Sequence, residues 1–329
     1  CEVVAIVGIR PRAPRVLPSA TWKFTIMRTL ATPVFVGYDR PLVPATLIAR
    51  RDRFIADVRL ENGVETRAHC INPGRMEAFV DEGAKIWLQP AEEGSSRKLA
   101  YTWELLEHRG IVCSTNTVRP NKLVAALLQA RALPGADDWT ELKPEYSIPP
   151  ALTGDASHKT RVDFMLTGGI THYLEVKNCH LVAEDGWGYF PDSVSDRAAK
   201  HVGCLAQLAE RGYRATVLLC VQRSDCRFGV RPSDFHDPTF ATAARAAAAA
   251  GVEFRAVRAT TDVGGTTVTH ELQVDLEPYD TAAVAAEWER NVATTGWVRT
   301  ASGARVANGP FPHNKPKKTP KRARAEEVD

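Results

Sequence analysis

Apolar and polar positions alternate with a period of two through the first third of the chain. Leu47-Ile48-Ala49 and Phe54-Ile55-Ala56-Asp57-Val58-Arg59-Leu60 lead into Glu61-Asn62-Gly63, a hairpin-turn signal. Thr66-Arg67-Ala68-His69-Cys70 continues the alternation, and Asn72-Pro73-Gly74 marks another turn. Ala84 to Leu88 and Tyr101 to Leu106 read as further strands. Several short strands within about 60 residues predict a small closed barrel, and an OB-type barrel has this size.

The period then changes. Pro120-Asn121 opens a predicted helix that runs to about Leu133, with Leu123, Ala126, Leu127 and Ala130 as its apolar stripe. Two strands follow, Arg161 to Leu166 and Tyr173 to Lys177, joined through Thr167-Gly168-Gly169. Pro191 to Gly212 reads as a helix, capped by Asp192 or Ser195 and ended by Gly212. Its buried stripe is predicted as Val194, Ala198, Val202, Leu205 and Ala209, with Arg197, Lys200 and His201 on a neighbouring stripe. Thr216 to Val221 is a continuous apolar run, as a buried central strand requires. Asp237-Pro238 starts another helix that ends at Gly251, and Val252 to Val257 returns as a strand. Strands alternating with helices predict an α/β domain in which helices flank a mixed sheet. Thr281 to Asn291 reads as one more helix.

The candidate chemistry sits on the hairpin. A loop of three residues, Gly168 to Ile170, sets Asp163 opposite Glu175, whereas a two-residue loop sends the two carboxylates to opposite faces. The first register gathers Arg161, Asp163, Glu175 and Lys177 on one face and Val162, Phe164, Leu166, Leu174 and Val176 on the other. Two facing carboxylates repel unless a cation lies between them, and hard oxygen ligands suit Mg²⁺ or Mn²⁺. Lys177 could then orient a water or stabilise phosphate charge. A solvated cross-strand ion pair would use the same residues, so the hairpin alone leaves both readings open.

Composition bounds the class. The 329 residues suffice for two domains, and 44% hydrophobic with 25% charged residues is the balance of a soluble globular protein. No apolar run approaches the length of a membrane span, so no membrane partner is expected. The net charge of +3 does not by itself demand nucleic acid. Its distribution says more: Arg50, Arg51 and Arg53 cluster on the barrel, with Arg97, Lys98, Tyr101 and Trp103 nearby. Basic residues among aromatics suit phosphate contact and base stacking, although the tryptophans fit equally as core. Seven scattered cysteines with no Cys-x-x-Cys argue against a zinc site or disulfide framework and for a reducing, intracellular compartment. Residues up to about Pro44 are basic-rich, which fits either an organelle-targeting leader or a disordered one, with Met27 as an alternative start. Lys315 to Arg324 is a basic, proline-containing tail, expected to be disordered, that suits nucleic-acid binding, a nuclear address or simple solubilisation.

Several ordered segments together resemble the sugar fermentation stimulation protein A (SfsA) family. They are Ala45 to Val58, His69 to Gly74, Tyr101 to Leu105, Asn116-Thr117, Asn121 to Val124, Arg161 to Leu166, Glu175-Val176-Lys177, Gly188 to Asp192 with Arg197, Lys200 and His201, and Gln222 to Asp225. The resemblance spans roughly Pro44 to Leu276. It implies an OB-type β-barrel followed by a restriction-endonuclease-like mixed sheet flanked by helices, of the PD-(D/E)xK kind, in a DNA-binding protein. By that resemblance Asp163, Glu175 and Lys177 match the nuclease core, with Asp163 and Glu175 as metal ligands. Arg50, Arg51, Arg53, Arg161, Arg197, Lys200 and His201 become candidate DNA contacts, with Asn121, Asp192 and Gln222 in support. The expected organisation is a leader over 1–43, a barrel over 44–110, the nuclease-like domain over 111–277 and an extension over 278–329. The chain departs from the family pattern at Cys70-Ile71-Asn72-Pro73-Gly74, where Cys-Pro-Asn-Thr-Gly is usual, and at Asn178-Cys179 and Asp196-Arg197-Ala198. The acidic residue that many such nucleases carry on an early helix has no match at Ala125 or Ala126, leaving Glu145 as a substitute. Three functional readings follow: a DNA-binding protein with a metal-dependent nuclease site, a non-catalytic DNA-binding regulator, and an RNA- or nucleotide-processing factor.

Overall fold

The structure, a computed structural model, describes residues 27–51, 54–72, 74, 76, 80, 82–153, 160–294, 297–298 and 305–306. The chain begins with β1 (Arg28–Gly37) and then forms the barrel strands β2 (Val43–Arg51), β3 (Ile55–Leu60), β4 (Glu65–His69), β5 (Lys85–Pro90) and β6 (Tyr101–His108). They hydrogen-bond in the order β2-β3-β4-β6-β5, and β5 pairs back onto β2, which closes the barrel. The β4–β6 pairing is parallel and the others are antiparallel. Leu47, Val58, Ile86, Leu88, Trp103 and Leu106 fill its interior. Trp103 is fully buried and donates its indole N–H to the Leu105 carbonyl at 2.9 Å, so this tryptophan is core.

β7 (Ile111–Ser114) pairs with β6, so the barrel sheet extends to Ser114, beyond the boundary expected at 110. The second unit then runs α1 (Arg119–Gln129), β8 (Glu141–Ser147), α2 (Pro150–Thr153), β9 (Arg161–Thr167), β10 (His172–Cys179), β11 (Leu181–Val182) and β12 (Trp187–Phe190). It continues through α3 (Asp196–Glu210), β13 (Arg214–Val221), β14 (Gly229–Pro232), α4 (Pro238–Ala249), β15 (Glu253–Thr261) and β16 (Gly265–Val274). After it come α5 (Ala282–Thr294), the helix expected near Thr281, and the short β17 (Trp297–Val298) and β18 (Arg305–Val306). The sheet order is β11-β12-β14-β16-β15-β13-β10-β9-β8, with β13 parallel to both β10 and β15.

Helices cover both faces of the sheet, as its mixed, largely apolar strands require. Leu123, Val124 and Leu127 of α1 pack on Phe164, Leu166, Leu174 and Val176. Val202, Leu205 and Leu208 of α3 and Phe240 and Ala244 of α4 pack on Met165, Tyr173 and Val217. The hairpin face read as charged is therefore also a core face, with Glu175 buried in it and Asp163 half-buried, while Arg161 at the start of the strand stays exposed. Val162 joins the α3 side, against the alternation read from the sequence.

Two further expectations are corrected. The stretch assigned to a leader over 1–43 contains β1, which pairs antiparallel with β16, Val34 against Val268 and Gly37 against Gly265. Residues 1–26 lie outside the described residues, as does the basic tail after Val306. Val194, expected in the buried stripe of α3, is 57% exposed, because the helix starts only at Asp196, with Ser195 as its N-cap accepting from the Ala198 N–H at 3.2 Å. No helix among the described residues is long and apolar enough to cross a membrane.

Candidate metal centre

The β9–β10 turn fixes the register of the site. Gly168 adopts φ 130°, and a Cβ there would sit 2.6 Å from the Thr140 nitrogen, so only glycine fits. His172 pairs with Leu166, Tyr173 with Met165 and Leu174 with Phe164, the register that brings Asp163 level with Glu175. The backbone ladder stops there. Instead of a carbonyl, the Asp163 carboxylate takes the Val176 N–H, on Oδ2 at 2.6 Å. Its Oδ1 accepts from Asn121 Nδ2 of α1 at 2.7 Å. Asp163 thus replaces one rung of the sheet with a side chain, and it is held from both sides.

Glu175 is 5% exposed and takes two donors on the same oxygen, Oε1. Lys177 Nζ lies 2.5 Å away and His201 Nδ1 2.6 Å away. His201 comes from α3, which the apolar stripe through Val202 and Leu205 seats on this face. The two carboxylates respond in opposite directions. Burial, then the nearby charge of Glu175, pushes Asp163 above the usual carboxylate range, against its hydrogen bonds and Lys177. Burial pushes Glu175 upward as well, but the His201 hydrogen bond and the Lys177 charge outweigh it and hold Glu175 below its ordinary value.

This donor set fits a hard divalent cation. Asp163 carries a repulsion from Glu175 that its own partners leave unrelieved, and both groups offer carboxylate oxygens. Asp163 and Glu175 would contribute two such ligands. No cluster of three or more His, Cys, Asp or Glu side chains suited to a metal occurs among the described residues, so the remaining positions would fall to water or substrate oxygens. Glu145 does not supply a third: it is exposed on β8 and pairs with Arg161 at 3.5 Å.

Of the other expected residues, Asn121 meets Asp163 directly. Gln222 and Asp192 belong to an adjoining buried polar network. Gln222 donates to Asn178 Oδ1 at 3.0 Å, and Asn178 contacts His180 Nδ1 at 3.0 Å. His180 Nε2 lies 3.3 Å from Asp192 Oδ2. Burial pushes Asp192 up, but His180, with His236 and Ser193, outweighs it and holds the group at about 2. A Cβ on Gly74 would sit 2.7 Å from Asp192 Oδ2, so Gly74 of the barrel meets this network where a side chain would not fit.

The basic residues divide. Arg197 and Lys200 are exposed on α3, and Arg197 stands one turn before His201. Arg161 is also exposed. Arg50, expected as a surface contact, is instead 6% exposed and donates to the Asn72 and Gly74 carbonyls at 2.6 and 2.9 Å. Successive strand residues face opposite sides, so Arg50 and Arg51 could not share one surface. Arg51 pairs with Asp57. Arg53 lies outside the described residues. The sequence reading assigned His201 to phosphate and missed its bond to Glu175. The i, i+4 spacing of Arg197 and His201 marked their shared face, but nothing local in the sequence shows which strand that face meets.

Comparison with known proteins agrees with this architecture. Residues 48–115 match the family described as SfsA N-terminal OB domain, and residues 118–265 match the sugar fermentation stimulation protein RE domain. A sugar fermentation stimulation protein homolog of Dinoroseobacter shibae is 41% identical over 243 residues, covering 72% of this chain and 95% of that protein. Another from Jannaschia sp. is 40% identical over 245 residues, covering 73% and 98%. The structure of Pyrococcus furiosus SfsA in complex with Ca²⁺ superposes with a TM-score of 0.65 at 23% identity, covering 74% of this chain and 99% of that one. With the barrel, the mixed sheet and both matched segments in the same order, the chain belongs to the SfsA family.

Proposed function

We propose that this protein binds DNA and hydrolyses phosphodiester bonds with a divalent cation, Mg²⁺ or Mn²⁺, held by Asp163 and Glu175. The observation that carries the reading is the buried carboxylate pair with Lys177, joined through His201 to the helix that displays Arg197 and Lys200. The Ca²⁺ bound by the archaeal relative supports a divalent cation. When bound, the cation supplies Lewis acidity toward a phosphate oxygen and a more acidic water. The chain's own groups do the rest. Asn121 and the Val176 N–H fix the Asp163 carboxylate, and His201 fixes Glu175. Lys177 is 14% exposed, and its ammonium is placed to hold a water or a developing negative charge beside the pair. Arg197, Lys200 and Arg161 offer exposed cations to the DNA backbone.

A second reading, DNA binding without cleavage, is favoured by one contact: Lys177 and His201 both bond the same Glu175 oxygen, which ties the lysine to the carboxylate. Incubation with plasmid and single-stranded DNA in Mg²⁺ or Mn²⁺, alongside mobility shifts in EDTA, separates the two. Hydrolysis predicts metal-dependent cleavage that Glu175→Ala abolishes. A shift in EDTA that persists in Asp163→Ala, with no cleavage in either metal, selects binding alone.

A further inference from the structure

Between the barrel and the second unit lies a cleft of about 370 Å³, within the size range of small-ligand sites. Asn116 of its wall accepts on its carbonyl from Gln222, which follows the end of β13 and also bonds Asn178 near the end of β10. The cleft therefore opens at the carboxyl ends of two parallel strands, where α/β sheets characteristically take ligands. Its inner charges are engaged within the wall. Glu104 of β6 is 4% exposed, and the Asn116 amide bridges both of its oxygens at 3.0 and 2.9 Å. Arg119 is 5% exposed and donates to Thr266 and to the Val36 and Gly37 carbonyls. The mouth is different. Arg97, exposed on the β5–β6 connection, spends one donor on Thr102 at 2.9 Å. Lys122 of α1 is exposed and meets the exposed Asp39 at 3.3 Å, a pair of little strength. Val118, the N-cap residue of α1, is 51% exposed, an apolar side chain left facing water. His69, at the end of β4, lines the same space, and burial and then Arg97 push its pKa down, so at neutral pH it presents an uncharged flat ring. The first turn of α1 carries Asn121 to Asp163 and the next residue, Lys122, to the cleft.

We infer that this cleft holds one unpaired nucleotide of a single DNA strand, with its base against His69 and Val118 and its flanking phosphates on Arg97 and Lys122. The inference rests on the DNA-binding reading above for the identity of the ligand and adds its form. Exposed cations beside a flat ring and an apolar side chain match a phosphodiester beside the face of a base. The enclosed volume suits a single nucleotide, and a base stacked in a duplex enters it only by unpairing and leaving the helix. Every base has a π-face, and Glu104 is already bridged by Asn116, so the cleft accepts any base. Duplex DNA remains with the exposed cations of α3, which the cleft does not use.

Fluorescence anisotropy on the full chain in EDTA tests it, with a labelled thymidine oligomer, its duplex with the adenosine complement, and thymidine monophosphate as competitor. His69→Ala weakens single-strand binding about fivefold or more, as loss of one stacked base does. Arg97→Gln, a surface change that leaves the core untouched, weakens it severalfold, and both variants bind the duplex as the wild type does. Four results would each overturn the assignment: no binding of the single strand, a loss shared equally by single strand and duplex, unchanged single-strand affinity in Arg97→Gln or in a folded His69→Ala, or competition by the monophosphate at the concentration the oligomer itself requires. The last would reassign the cleft to free nucleotides. The hydrolysis reading fails separately. Plasmid nicking together with unchanged single-strand affinity in Arg97→Gln removes the cleft assignment alone, and a loss specific to the single strand in a protein that never nicks leaves it standing.

Discussion

Asp163→Asn provides a readout of the carboxylate pair that does not require turnover. A ligand that binds only the folded chain stabilises it by about 2.7 kcal/mol at a hundredfold excess over its Kd. For a unit of roughly 150–250 residues, each kcal/mol moves Tm by about 2–4 °C. Saturating Mn²⁺ is therefore expected to raise the wild-type melting temperature by about 5–10 °C, and to raise that of Asp163→Asn by only a small part of this. The metal-free state gives an independent sign. The folded pKa of Asp163 is raised above its unfolded value, with burial the larger cause and the Glu175 charge the next. A raised carboxyl is penalised when ionised, so its contribution to stability falls as pH rises from the unfolded pKa through the raised value. Asparagine has no such penalty. Without metal, the stability of the wild type relative to Asp163→Asn should therefore fall as pH rises above the unfolded carboxyl pKa of about 4. Glu175 titrates with the opposite sign, contributing stability above its unfolded pKa that is lost as pH falls through its lowered folded value. Glu175 is present in both proteins, so the comparison reads Asp163 together with its coupling to Glu175. Differential scanning fluorimetry across pH, with and without Mn²⁺, measures both effects. An equal Mn²⁺ shift in the two proteins, or none in the wild type, would refute the reasoning.

Three further outcomes are expected. Gly74→Ala drives a Cβ toward Asp192 Oδ2, to 2.7 Å, and should cost about 1–3 kcal/mol in urea unfolding. Asp192→Asn should cost about 2 kcal/mol at pH 7, because a carboxyl held at about 2 stabilises the fold above its unfolded pKa; the difference from wild type should shrink as pH falls from about 4 toward 2. Replacing both Arg197 and Lys200 by glutamine should lower the slope of log affinity for duplex DNA against log salt by about 1.8, if each makes one phosphate contact.

Much of the architecture is legible in local patterns. Period-two alternation over residues 47–106 marks the barrel strands, and Gly168-Gly169 with flanking apolar runs fixes the register that brings Asp163 level with Glu175. What escapes is non-local. β1 pairs with β16, more than two hundred residues away in sequence, so its composition reads as a basic leader while its partner supplies the structure. Whether the charged face of the hairpin is solvated or enclosed is not legible locally, because the helix that packs on it, α3, is recognised separately and carries no mark of where it packs. Arg50 and Arg51 look like one basic patch in a linear run, yet strand alternation sends Arg50 inward to the Asn72 and Gly74 carbonyls. At the site, the triad of Asp163, Glu175 and Lys177 is readable from spacing. The bonds that set its protonation, from Asn121, His201 and the Val176 N–H, come partly from distant segments and partly from an interrupted ladder.

The central claim is that the Asp163–Glu175 pair hydrolyses DNA. The most direct measurement is the rate of plasmid nicking in Mn²⁺ by the wild type and by Glu175→Ala, purified identically and matched for folding by circular dichroism. The account predicts nicking by the wild type and a loss of at least about a hundredfold in the variant, as removal of a charge-stabilising group from a hydrolytic site produces. Equal rates in the two proteins, or no nicking by a wild type that still binds the plasmid, would contradict it.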